Sequence, residues 1–144
     1  MTDLNEFLTK KKEEMNKKTE EHLKDKENWI NDINDMLTQI KKWLVEAEKS
    51  NLIEIKDKEI LISEELFGDY NVPAIDVLTG WKTVKVEPIG RAIIGGLGRI
   101  DMYTETKRCI LILTTENKWA YKNKNNYEEL NENLFSDLLK EMLS

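Results

Sequence analysis

The first 67 residues contain neither glycine nor proline, and all six glycines and both prolines fall in the remainder. A stretch that long with nothing to break a helix or force a turn lets one helix run far through it. The remainder is punctuated for strands and tight connections. Charge divides the chain in the same place: residues 1–50 hold ten Lys and twelve acidic residues, whereas all three Arg lie beyond residue 67. The expected fold class is therefore α+β, with a charged helical segment over 1–50 and an antiparallel sheet with a C-terminal helix over 51–144. Together they make one compact domain, since 144 residues bury a continuous core without staples.

Trp29, Ile33, Met36, Leu37, Ile40, Trp43, Leu44 and Ala47 recur at steps of three and four, which sets them on one face of a helix over 28–49. Upstream, Leu4, Phe7, Leu8, Met15 and Leu23 are sparser, and residues 10–27 are nearly all charge, with many opposite signs four apart. One long helix or an αα-hairpin satisfies this pattern. The upstream stripe is too thin for burial against the protein's own sheet, so a protein partner or a second copy is expected to supply the missing surface.

Beyond Asn51 the apolar period falls to two. Short strands are expected at 52–55 and 59–63 around a Lys56-Asp57-Lys58 turn, followed by an irregular segment over 64–72 turning at Gly68-Asp69. A hairpin of 74–78 and 81–87 about Thr79-Gly80 ends at Pro88. A meander of 93–103, 108–114 and 118–122 follows, for a sheet of five to six strands. Residues 110–113, Ile-Leu-Ile-Leu, are apolar on both parities, so that strand should be central and covered on both faces. The N-terminal helix is expected on one face. The C-terminal helix, with Leu130, Leu134, Leu138 and Met142 and a cap at Asn131 or Asn133, is expected on the other face or along an edge.

Residues 84–102, VKVEPIGRAIIGGLGRIDM, place four glycines in what otherwise reads as strand. Gly90, Gly95, Gly96 and Gly98 either bend a strand or offer successive N–H groups to an anion, with charge from Arg91, Arg99 and Asp101 beside them. The ligand-binding candidates are accordingly Arg91, Gly95, Gly96, Gly98, Arg99 and Asp101. No Lys-Ser/Thr follows as in a P-loop, and a strand comes next where a phosphate site needs a helix N-terminus, which favours the bent strand. Over 81–125 there are nine basic residues against four acidic ones in a chain of net charge −6. Binding of a nucleotide or nucleic acid through a basic sheet around Arg91 and Arg99 is therefore one alternative. An exposed Trp81 or Trp119 among Lys82, Lys85, Lys118 and Lys122 would add a stacking platform for bases.

Asp101 followed by Glu116-Asn117-Lys118 resembles the PD-(D/E)xK nuclease pattern over residues 98–118. The resemblance implies a divalent metal shared by Asp101 and Glu116, with Lys118 activating water. Here Glu116 follows Thr114-Thr115, where that family keeps the acid inside an apolar strand, and Glu105-Thr106-Lys107 is a second Glu-x-Lys match.

His22 and Cys109 are each the only residue of their type, so they build no zinc set, histidine triad or internal disulfide. Cys109 within Arg-Cys-Ile-Leu-Ile-Leu reads as a small buried hydrophobe in a reducing compartment. The opening residues lack a signal peptide's basic and apolar regions, and no apolar run nears the roughly 18 residues of a membrane span, so a cytoplasmic location without membrane contact is expected. No catalytic set and no cofactor signature is complete. The expected function is a small intracellular, non-enzymatic interaction or regulatory protein, an inhibitor or immunity-like partner of bacterial or phage type.

Overall fold

Thr2 starts a helix that nothing interrupts for 41 residues, α1 (Asp3–Trp43). The Thr2 hydroxyl accepts the Asn5 N–H at 3.2 Å, Asp3 and Glu6 occupy the first turn, and Lys41 and Lys42 the last, as the helix dipole favours. The αα-hairpin alternative does not form. Leu44 interrupts the helix, the short α2 (Val45–Lys49) follows, and Asn51 turns the chain with φ 58°. The computed structural model describes residues 2–91 and 95–144.

Seven antiparallel strands follow in sequential order: β1 (Glu54–Glu64), β2 (Gly68–Leu78), β3 (Thr83–Gly90), β4 (Gly98–Tyr103), β5 (Arg108–Leu113), β6 (Trp119–Asn123) and β7 (Asn126–Glu129). The meander and its turns at 104–107 and 114–118 are as expected, but the count exceeds five to six. The added strand is β7, Asn-Tyr-Glu-Glu, wholly exposed and held by backbone pairing with β6, so no apolar alternation announces it.

Three local expectations are corrected. Lys56-Asp57-Lys58 is not a turn; it lies mid-strand in β1, where eleven-residue pairing with β2 overrides a charged tripeptide whose side chains find Lys41, Asp76 and Glu87. Residues 64–72 are mostly strand, because the turn falls at 65–67 and Gly68, with φ 69°, opens β2. Pro88 does not end its strand. It pairs with Ile100, and a register shift between Pro88 and Gly90 absorbs the irregularity. Of the strand expected over 93–103, residues 93 and 94 lie outside the described residues, 95–97 form a turn where strand was expected, and β4 begins only at Gly98.

Antiparallel partners directly opposite each other share a face, so the register aligns Ile75, Val86, Met102 and Cys109 in one row and Pro88, Ile100, Leu111 and Tyr121 in the next. Against these rows α1 lays Trp29, Ile33, Met36, Leu37 and Ile40. Helix α3 (Glu132–Leu143), capped by Asn131 accepting the Leu134 N–H at 2.8 Å, adds Phe135, Leu138, Leu139 and Met142 to the same core. The rings of Trp43 and Phe135 lie 5.2 Å apart, so the start of α3 meets the C-terminal end of α1 within that core. This corrects the expectation that α3 covers the second face or an edge. Among the described residues the opposite face of β3 to β6 carries no helix; Ile112 is nonetheless buried there, between Arg99 and Ala120 in register.

The β1–β2 hairpin climbs along α1 only as far as His22, which meets Phe67 edge to face at 6.2 Å, and Lys26, whose ammonium lies 5.7 Å from the centre of the Tyr70 ring. Every described residue of α1 before Glu21, and Glu21 itself, is exposed. Among the described residues no helix is long and apolar enough to cross a membrane.

Candidate functional site

The helix-free face of the sheet carries a continuous set of charges, built by alternation. Residues two apart on one strand and residues opposite in register point the same way, so β4 and β5 bring Arg99, Asp101, Tyr103 and Arg108 to that face, and β3 adds Lys85 and Glu87. Asp101 is completely buried. Arg99 clamps it with two parallel bonds, Nε to Oδ1 at 2.7 Å and Nη2 to Oδ2 at 2.8 Å, and Arg108 Nη1 donates to Oδ2 from the neighbouring strand. The Arg108 guanidinium also stacks 4.5 Å over the Tyr103 ring, with the Lys85 ammonium at 5.9 Å.

Tyr103 donates its hydroxyl to Glu87, Glu87 accepts from Lys58 of β1, and Lys58 reaches Asp76 of β2 at 2.6 Å. Burial pushes the Glu87 carboxyl up, but the bonds from Lys58 and Tyr103 outweigh it and hold the group below its ordinary value of 4.5. Burial likewise works against the Lys58 ammonium, and Asp76 and Glu87 together raise it above 10.5. A carboxyl depressed in the folded state stabilises the fold above its unfolded value and loses that contribution as pH falls through the folded value. Glu87→Gln should therefore flatten the decline of stability below about pH 4.5 in acid titrations followed by circular dichroism; a decline as steep as the parent's would contradict this.

The set is largely paired: Asp101 has two arginines, and Glu87 and Asp76 share Lys58, although the buried Asp76 Oδ1 lies at ion-pair distance from Lys58 without a well-aligned hydrogen bond. Burial pushes the Cys109 thiol up to about 12, with the Asp101 charge adding to it, so that sulfur is an inert part of the core. Among the described residues no three His, Cys, Asp or Glu side chains gather closely enough to hold a metal ion.

Of the candidates named from sequence, Arg99 and Asp101 meet, and the rest disperse. Arg91 donates its backbone N–H to Glu64 at 2.8 Å, and its charge is felt by Asp32 of α1 and by Tyr70, away from Asp101. Gly95, with φ 85°, and Gly96 lie in the turn before β4, Gly95 beside the Tyr127 hydroxyl. Gly98 lies under Trp29, where a Cβ would stand 2.7 Å from Cε3 and Cη2 and closer still to Cζ3. Asp101 pairs with Ile110, whereas Glu116 and Lys118 occupy the turn beyond Leu113, three rows along the sheet. The structure does not gather the three residues of the nuclease pattern.

Two other surfaces stand out. A groove of about 530 Å3 at one end of the sheet is lined by Trp81, Lys82, Lys85, Tyr103, Thr104 and Thr106. Trp81 is 68% exposed, its indole N–H donates to the Leu143 carbonyl at 3.2 Å, and Lys82 reaches the Ser144 carbonyl at 2.7 Å, so the end of α3 anchors the rim. Tyr103 and Thr104 were not foreseen beside Trp81, because only the Lys85–Tyr103 register brings the two turns together.

The second surface is the arm of α1. Leu8, Met15, His22, Trp29 and Met36 recur every seven residues, so the face that Trp29 and Met36 bury against the sheet continues past it. Residues 3–21 extend this face for roughly 28 Å beyond the hairpin, with Leu4, Phe7, Leu8 and Met15 all more than half exposed. Comparison with known proteins finds no match: no family model fits the chain, and no curated protein or solved structure is similar to it.

Proposed function

We propose that the chain is a non-enzymatic interaction protein in which the sheet and α3 hold α1 rigidly and its free arm is the contact surface. One observation carries the reading: a helix anchored in a packed core runs on past that core with Leu4, Phe7, Leu8, Met15 and Leu23 open to solvent. An isolated helix of that length is marginal in water, and a helical stripe without its own sheet to cover it is the form in which partner helices are met. Roles as a regulator, inhibitor or immunity-like partner fit such an arm.

Leu8→Glu/Met15→Glu in the full chain tests the reading, since both positions are exposed and the change should leave unfolding within about 0.5 kcal/mol of the parent. Sedimentation equilibrium of the parent should show association, or a co-purifying chain, that the double variant loses. A parent that stays monomeric at the highest attainable concentration, with no bound chain lost in the variant, would overturn it.

The groove supports a second reading, nucleotide or single-strand binding, moved from Arg91 and Arg99 to Trp81. An exposed indole beside Lys82 and Lys85 offers a stacking plane and phosphate contacts, whereas Arg99 is already neutralised by Asp101. If this reading holds, a short oligonucleotide should quench Trp81 fluorescence at low salt, and Trp81→Ala should weaken binding by about 1–3 kcal/mol. Absence of any binding at low ionic strength would remove it.

A further inference from the structure

We infer that the outer edge of β1 pairs antiparallel with the β1 edge of a second copy over residues 59–63, with the two-fold axis at Leu61. The inference is independent of the arm. β1 is an edge strand of eleven residues in unbroken register with β2, whereas the opposite edge, β7, has only four. In an antiparallel strand a residue points its N–H and C=O to the same side. The Ile55 N–H turns away from β2 to meet Glu48 Oε2 at 3.2 Å, and Pro73, which has no N–H to give, stands opposite Glu59. Both place the odd-numbered residues of β1 outward. Glu48 closes that edge at Ile55, and Lys41 holds the Asp57 carboxylate at 2.5 Å. Beyond them, nothing among the described residues bonds the outward backbone groups of Glu59, Leu61 and Ser63, and no proline or bulge blocks a further strand.

The order of residues names the occupant. Glu59-Ile60-Leu61-Ile62-Ser63 reads polar, apolar, apolar, apolar, polar in both directions, and its flanks, Lys58 and Glu64, carry opposite charges. Reversed on itself about Leu61, which is 62% exposed, the strand sets Leu61 against Leu61, Ile60 against Ile62, Glu59 against Ser63 and Lys58 against Glu64. Every apolar residue then meets an apolar one and no like charges oppose, the self-complementarity that a two-fold contact requires. Centred on Ile60, the strands would set Glu59 against Leu61 and Lys58 against Ile62; centred on Glu59, they would set that carboxylate against its own copy. Any register that places an odd residue opposite an even one offers the open groups to groups already bonded to β2. The contact is short, so the pair should be weak. Its backbone bonds and aliphatic contacts should persist at high salt.

Cysteine mapping on the full chain tests the arrangement, and the buried Cys109 does not compete. Residues of a bonded antiparallel pair stand about 5.5 Å apart between Cα atoms, within reach of a disulfide. Under mild oxidation Leu61→Cys should therefore cross-link to itself at least tenfold more than Glu59→Cys or Ser63→Cys does, while those two variants, mixed, should cross-link to each other. The Leu61→Cys product should form equally in high salt and when Leu8→Glu/Met15→Glu is added, which separates this contact from the arm. Self-cross-linking of Glu59→Cys as efficient as that of Leu61→Cys would overturn the register. Absence of a Leu61→Cys disulfide at the highest attainable concentration, or its loss in the arm variant, would overturn the edge pairing and leave the reading of the arm untouched.

Discussion

Gly98→Ala should destabilise the fold by about 3 kcal/mol, because the new methyl would enter the six-membered ring of Trp29, a fully buried side chain held between α1 and the sheet. Neither side can yield cheaply: Gly98 is fixed by pairing with Leu113, and Trp29 is packed against Trp119 with ring centroids 6.3 Å apart. Gly90→Ala is the matched control. There the added Cβ would stand 2.6 Å from Glu64 Oε1, a side-chain end that can move aside only by giving up the bond from the Arg91 N–H, for about 2 kcal/mol. Urea denaturation with an unchanged m-value should show this ordering. Equal costs would mean that the close approach of Trp29 is not what requires glycine at 98.

Asp101→Asn should cost about 2 kcal/mol, since a buried carboxylate that accepts three charged hydrogen bonds is replaced by a neutral amide that must also donate. Arg99 and Arg108 are one third and one half exposed, so water partly replaces the lost partner and keeps the cost below that of a wholly buried pair. The change should alter neither association nor oligonucleotide binding. A stable Asp101→Asn protein that had lost a magnesium-dependent cleavage of nucleic acid would instead revive the nuclease pattern of Asp101, Glu116 and Lys118.

Much of the architecture was legible because it is written in periodicity. The stripe from Trp29 to Ala47, the switch to period two after Asn51, and the turns at Thr79-Gly80 and Glu116-Asn117 each have a local physical cause. What failed was nonlocal. Lys56-Asp57-Lys58 has turn chemistry, yet β2 holds it extended, and β7 exists only because β6 offers an edge. The placement of α3 in the same core as α1 depends on which face of the sheet was already polar, and that followed from Asp101, Glu87 and Lys58 meeting across strands whose register no single segment encodes. The same holds for the candidate site. Arg99 and Asp101, two apart on one strand, could be paired from sequence, whereas Arg108, Tyr103, Glu87, Lys58 and Asp76 are joined to them by register alone. Gly98 was marked by its neighbours' conformation, but its reason, the ring of Trp29, lies 69 positions away.

The arm is the center of the account, and amide hydrogen exchange over residues 3–21 of the full chain tests it most directly. As protein concentration rises, protection of these amides should increase while that of β3 to β5 stays constant, because the arm gains its partner and the core does not change. Leu8→Glu/Met15→Glu should abolish the concentration dependence. Amides 3–21 that exchange like an unstructured chain at every concentration, with the core fully protected, would contradict the account.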